Sequence, residues 1–154
     1  MSPKALPEFS FYHLRNVGLD RALPRLLERV AERGLRAVIL AGTAERVEHL
    51  NSLLWSYDPD SFLAHGSAGD GNAAHQPIYL TTTEENPNGA KVLVLVDGGD
   101  VSFAGTFDRC LDIFDGADPA AVSAARERWR GAKAAGFEVT YWQQSEQGRW
   151  EKVA

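Results

Sequence analysis

Apolar positions fall into short uninterrupted or alternating runs, separated by stretches in which they recur at helical spacing. Phe9-Ser-Phe-Tyr-His-Leu14 is aromatic and roughly alternating, which predicts a strand. A turn over residues 16–20 follows. Asp20 then stands where it would cap a helix carrying Leu23, Leu26, Leu27 and Val30 on one side, with Pro24 in its first turn and Gly34 just past its end. Ala37-Val-Ile-Leu-Ala41 is apolar throughout, as expected of a strand covered on both faces. Thr43 would cap a second helix whose Val47, Leu50, Leu53 and Leu54 face inward. Strand, helix, strand, helix is the order of a parallel sheet with crossover helices.

The middle of the chain, from Trp55 to Gln76, is irregular and rich in Gly, Asp and Asn, the mark of a long functional or mobile loop. Pro77-Ile-Tyr-Leu-Thr81 predicts a third strand. Asn86-Pro-Asn-Gly89 signals a turn before Lys91-Val-Leu-Val-Leu-Val96, whose apolar run suits a central strand. Phe103, Phe107, Cys110, Leu111 and Phe114 fall at i, i+4, i+7, i+8 and i+11, the spacing of one buried helical face. Asp118 and Pro119 open a last helix that Gly136 closes, Phe137 to Trp142 alternates as a final strand, and the tail from about Gln143 is polar until Trp150. The fold class expected is α/β, one domain over residues 1–154, with a mostly parallel sheet and helices on both faces.

Composition narrows the function classes. A chain of 154 residues, 44% hydrophobic, supports one core. Its 21 acidic against 16 basic residues give a net charge of -5, the wrong sign for a protein that binds by neutralising many phosphates. Cys110 is the only cysteine, so an internal disulfide and a cysteine zinc cluster are both excluded, and a core position suits it best. The first residues show no basic flank before a long apolar run, and no stretch approaches the ~20 apolar residues of a membrane span. A soluble, cytoplasmic protein is expected, with no membrane partner.

Nothing in the sequence argues for catalysis. Gly66, Gly69 and Gly71 do not stand between a strand and a helix, and no Gly-Lys-Ser/Thr follows them. Asp97-Gly-Gly-Asp100, after the central strand, would either hold a hard cation or form a solvated turn. His13, His49, His65 and His75 are scattered, and Ser10 and Ser67 lack a nucleophile motif. No cofactor and no metal are expected.

The last helix is different. Val122, Ala125, Trp129 and Ala132 share one face at ~100° per residue, with Arg126, Arg130 and Lys133 along its edge. Arg126 and Arg130, four apart, cost a bare helix ~0.2 to 0.5 kcal/mol, which an anionic partner would remove. The same pattern also fits a helix that only packs Trp129 on the core. Trp55 and Phe62 flank an Asp-Pro-Asp turn, and Phe114 falls just before Asp118. If the central loop folds over that edge, Trp55, Phe62, Phe114, Arg126, Trp129 and Arg130 form an apolar pocket rimmed by positive charge. It would fit a short peptide with an aromatic end and a free carboxylate. Otherwise Trp55 and Phe62 pin the loop to the core.

Leu54-Trp55, Asp58-Pro-Asp-Ser-Phe62, His65-Gly66, Ala68-Gly-Asp-Gly71, Gln76-Pro77, Asn86-Pro-Asn-Gly89, the strand from Leu93 to Asp97 and Ala125-Arg-Glu-Arg-Trp129 together resemble the chi subunit of the bacterial DNA polymerase III clamp-loader complex. The likeness runs from Phe11 to about Trp142. It implies a non-catalytic, Rossmann-like adaptor that binds the acidic C-terminal tail of single-stranded DNA-binding protein and, through a separate apolar surface, the psi subunit. DNA would be met only indirectly. Family tail-binding positions carried onto this chain are Trp55, Phe62, Phe114, Arg126, Trp129 and Arg130. Two rival readings remain: a module that binds single-stranded nucleic acid directly, stacking bases on Trp55 and Trp129, and a small metal- or nucleotide-dependent enzyme using Asp97, Asp100 and the glycine loop.

Overall fold

In the computed structural model, which describes residues 7–15, 17–58, 63–67 and 70–154, the apolar runs pair into a single sheet. Its strands are β1 (Glu8–Leu14), β2 (Ala37–Leu40), β3 (His65–Ser67), β4 (Ile78–Thr81), β5 (Val92–Leu95), β6 (Arg109–Asp115), β7 (Glu138–Gln144) and β8 (Trp150–Lys152). They lie in the order β3-β4-β2-β5-β6-β1-β7-β8, and every pairing is parallel except β7 with β8. Among the described residues the α-helices are α1 (Leu19–Glu32), α2 (Ala44–Ser56), α3 (Val101–Ala104) and α4 (Pro119–Ala134), with one 3-10 turn over Ala73–His75. The α/β class and the interior place of β5 agree with the hydrophobic pattern.

Strand alternation divides the core into two layers. Ile39, Val94, Leu111 and Ile113 point to the side packed by α1 and α2. Val38, Leu93, Leu95, Cys110 and Phe114 point to the side where Ala125 and Ala132 of α4 are buried. Helices therefore cover both faces, which is why β2 and β5 are apolar at every position.

The segment from Phe103 to Phe114 departs from its predicted helix. α3 has four residues, and Cys110, Leu111 and Phe114 lie on β6. Asp112 misled the periodicity: this carboxylate, 0% exposed, interrupts an otherwise continuous buried strand and leaves a spacing that imitates a helix. Asp20 does not cap α1 either. Gly18 is the cap residue, so Pro24 falls inside the helix and beyond its first turn. Gly34 does stop α1, at φ +69°, with Gly34 N–H donating to Ala31 and Leu35 N–H to Val30. Both edge strands, β3 and β8, escaped prediction because each has only three residues. β8 folds the polar tail back along β7 and sets Trp150 edge-on to Tyr12 at 5.1 Å. Among the described residues no helix is long and apolar enough to cross a membrane.

Candidate functional site

α4 begins where the sequence says it should. The Asp118 carboxylate accepts from Ala120 N–H at 3.0 Å, and Pro119 occupies the first turn. Trp129 then lies edge-on to Phe11 of β1 at 5.6 Å and to Tyr141 of β7 at 5.7 Å, with Lys133 Nζ 5.3 Å from its ring centre. Arg128 turns inward. Its Nε and Nη2 donate to the two carboxylate oxygens of Asp112 at 2.5 and 3.0 Å, bolting α4 to β6. Burial pushes the Asp112 carboxyl above the usual carboxylate range, while its bonds to Arg128 pull the other way.

Beside Trp129 the sheet surface is aromatic. Phe114, 5% exposed, packs against His13 at 5.1 Å and Tyr141 at 6.0 Å, and the Tyr141 hydroxyl lies 2.6 Å from His13 Nδ1. Arg126 is exposed above this floor and has no hydrogen-bond or ion-pair partner among the described residues. Its charge reaches both His13 and Tyr141. Burial raises the Tyr141 phenol, so the hydroxyl stays protonated. Arg130, by contrast, pairs with Glu127 one turn back, both in water.

Of the six predicted site residues, Phe114, Arg126, Trp129 and Arg130 gather on this face. Phe62 lies outside the described residues. Trp55 is elsewhere: it stands at the end of α2, 61% exposed, with its ring 4.8 Å from that of His65 on β3. α2 packs on β3 and β4 from one side of the sheet, whereas α4 packs on β6, β7 and β1 from the other. β3 and β1 are five strand steps apart in the sheet order, roughly 24 Å at ~4.8 Å per step. The two tryptophans therefore do not share one cleft. Strand order, which hydrophobic spacing does not encode, keeps them apart. The reading missed His13, Tyr141 and Arg128. Alternation alone could have found the first two, since His13 continues the Phe9, Phe11 face and Tyr141 the Val139 face.

The remaining candidates are engaged in holding the fold. Asp97 accepts from Gly42 N–H at 2.8 Å beside Arg46, and Asp100 caps α3 through Ser102 N–H at 2.7 Å. Among the described residues no group of three His, Cys, Asp or Glu side chains could hold a metal ion. In the glycine loop Asp70 binds Ser67 N–H and hydroxyl at 2.9 and 3.1 Å, bonds that lower its carboxyl, and this fixed anion would repel a phosphate. A cleft of about 450 Å³ opens on the α1 side of β1 and β7. It mixes Arg29, Arg33 and Lys152 with Glu8 and Glu138, and an ion pair from Arg109 to Glu8 at 2.8 Å lies within it.

Fold and face together define a mostly parallel α/β protein with a cationic, aromatic surface on its last helix. The family model described as "DNA polymerase III chi subunit, HolC" matches residues 6–140, and the chain belongs to that family. The chain is 38% identical to the "Probable DNA polymerase III subunit chi" of Rickettsia prowazekii (strain Madrid E) over 99 residues, 64% of this chain and 60% of that protein. To the "DNA polymerase III subunit chi" of Escherichia coli (strain K12) it is 26% identical over 138 residues, 84% of this chain and 93% of that protein. The family is thus one of DNA replication, as a subunit of DNA polymerase III.

Proposed function

We propose that this protein is a non-catalytic accessory subunit of DNA polymerase III, working in the cytoplasm without a cofactor. It tethers the replicase to single-stranded DNA-binding protein by gripping that protein's acidic C-terminal tail on the α4 face. The observation that carries this reading is Arg126, an exposed guanidinium without a hydrogen-bonding acceptor among the described residues, whose charge reaches His13 and Tyr141 beside Trp129. A guanidinium fork receives a terminal carboxylate in two parallel bonds, and the rings beside it receive an apolar terminal side chain. Arg130 and Lys133 attract the acidic residues that precede it, a local field that the overall charge of -5 does not cancel at short range.

Trp55 serves a second partner. A large exposed ring on the opposite face suits the separate apolar surface through which the psi subunit would connect the protein to the clamp loader. The distance between Trp55 and Trp129 disfavours one stacking platform built from both, and in this reading DNA is met through its binding protein.

Titration calorimetry with a synthetic tail peptide tests the first half. Arg126→Ala should weaken binding by ~2 kcal/mol, the loss of one charge-assisted contact at a partly desolvated site. Unchanged affinity would remove Arg126 from the site.

A further inference from the structure

β1 presents Phe9, Phe11 and His13 in turn to the layer under α4, so the last side chain on that face is one that titrates. His13 is held on three sides. Its Nδ1 meets the Tyr141 hydroxyl at 2.6 Å, its ring packs edge-on to Phe114 at 5.1 Å, and its Nε2 edge lies over Gly116, where an added Cβ would come within 2.1 Å. Between a neutral imidazole and the phenol one group donates and the other accepts, so the contact is satisfied without charge on His13. The groups facing it are Tyr141 from β7, Arg126 from α4, Asp115 from the end of β6 and Arg15 just beyond β1. Burial, then the two guanidiniums, hold the imidazole below its ordinary value against the pull of Asp115. Two fixed positive charges thus converge beside one carboxylate, and the place is short of an anion.

Resting on the tail-binding reading above, we propose that His13 supplies a second positive charge to the terminal carboxylate that Arg126 receives, by taking up a proton from solvent as the tail docks. The bound carboxylate offsets the Arg126 field that disfavours the imidazolium. On protonation Nδ1 is a donor, and the Tyr141 hydroxyl oxygen can accept from it. The complex then binds more protons than the separated partners, so affinity is greatest below the lowered value of His13 in the free protein and is lost as pH rises through its raised value in the complex.

The test is calorimetry at pH 8 and pH 6, in two buffers of unlike ionisation enthalpy, with an acidic peptide ending in an aromatic residue. One form carries a free α-carboxylate and a control form is C-terminally amidated. The free-acid peptide should bind about three- to tenfold more tightly at pH 6, with net proton uptake, since one linked proton gives at most about tenfold per pH unit. The amide should show neither effect. His13→Gln, which keeps an amide toward Tyr141 but cannot charge, should lose both the pH dependence and the net proton uptake. In the unaltered protein, the ring titration of His13 followed by NMR should move upward when the free-acid peptide saturates it. Binding without proton uptake and with equal strength at both pH values, or a His13 titration that the peptide leaves unmoved, overturns this role while the tail site stands. A peptide that binds at neither pH overturns both.

Discussion

Arg126 and Arg128 sit two positions apart on α4 and have opposite fates. Arg126 turns outward and touches no acid among the described residues, while Arg128 is spent on Asp112, whose side chain is 0% exposed. Arg128→Ala would strand a buried carboxylate, so it should cost about 3 to 5 kcal/mol in urea-monitored unfolding, against a change within about 0.5 kcal/mol for Arg126→Ala. Similar losses for the two would mean that the Asp112 pair does not anchor the helix. At this scale the sequence was informative about α4: the 100° wheel put Trp129 inward and Arg126 at the edge. It was silent about Arg128, because the spacing around Asp112 imitates a helix and a pairing 16 residues apart leaves no local mark.

Among the elements, the junction from β6 into α4 decides where the site stands. Gly116 ends β6 with its N–H on the Leu14 carbonyl at 2.9 Å, and a Cβ there would lie 2.1 Å from His13 Nε2 and 2.3 Å from that carbonyl oxygen. Backbone cannot give way as a flexible side chain can. Gly116→Ala should therefore destabilise the fold by ~1 to 3 kcal/mol in thermal unfolding and shift the His13 ring signals, as overpacking at a closed junction does. An unshifted His13 would show that the contact relaxes without displacing the ring. Strands with unbroken apolar runs, such as β2 and β5, were legible from the sequence. β6 was not, because Asp112 breaks its run. The motif residues of the middle segment turn out to be ties: the Asn88 amide donates to Ala37 and Gln76 carbonyls at 3.2 and 2.8 Å, Asn86 closes its turn on Ala90, and Gly66 leaves room for Gln76.

Across the whole molecule, the sheet separates what the sequence had joined. Class, layer structure and the inward and edge positions along α4 could be read from spacing, but which helix lies over which strands follows from strand order, and that is set by long-range pairing. With Trp55 and Trp129 in different layers, the two proposed partners can be held at once. Trp55→Ala should accordingly leave tail-peptide affinity within about twofold of the parent while abolishing capture of purified psi, as expected for an exposed aromatic anchor distant from the other site. Loss of tail binding in that variant would return Trp55 to the tail site.

The most direct measurement is an NMR map of the labelled, unaltered protein titrated with the tail peptide. The account predicts shifts concentrated at His13, Arg126, Trp129 and Tyr141, with the Trp55 indole signal unmoved. Shifts centred on Trp55 and His65, or no saturable shifts at α4, would contradict it.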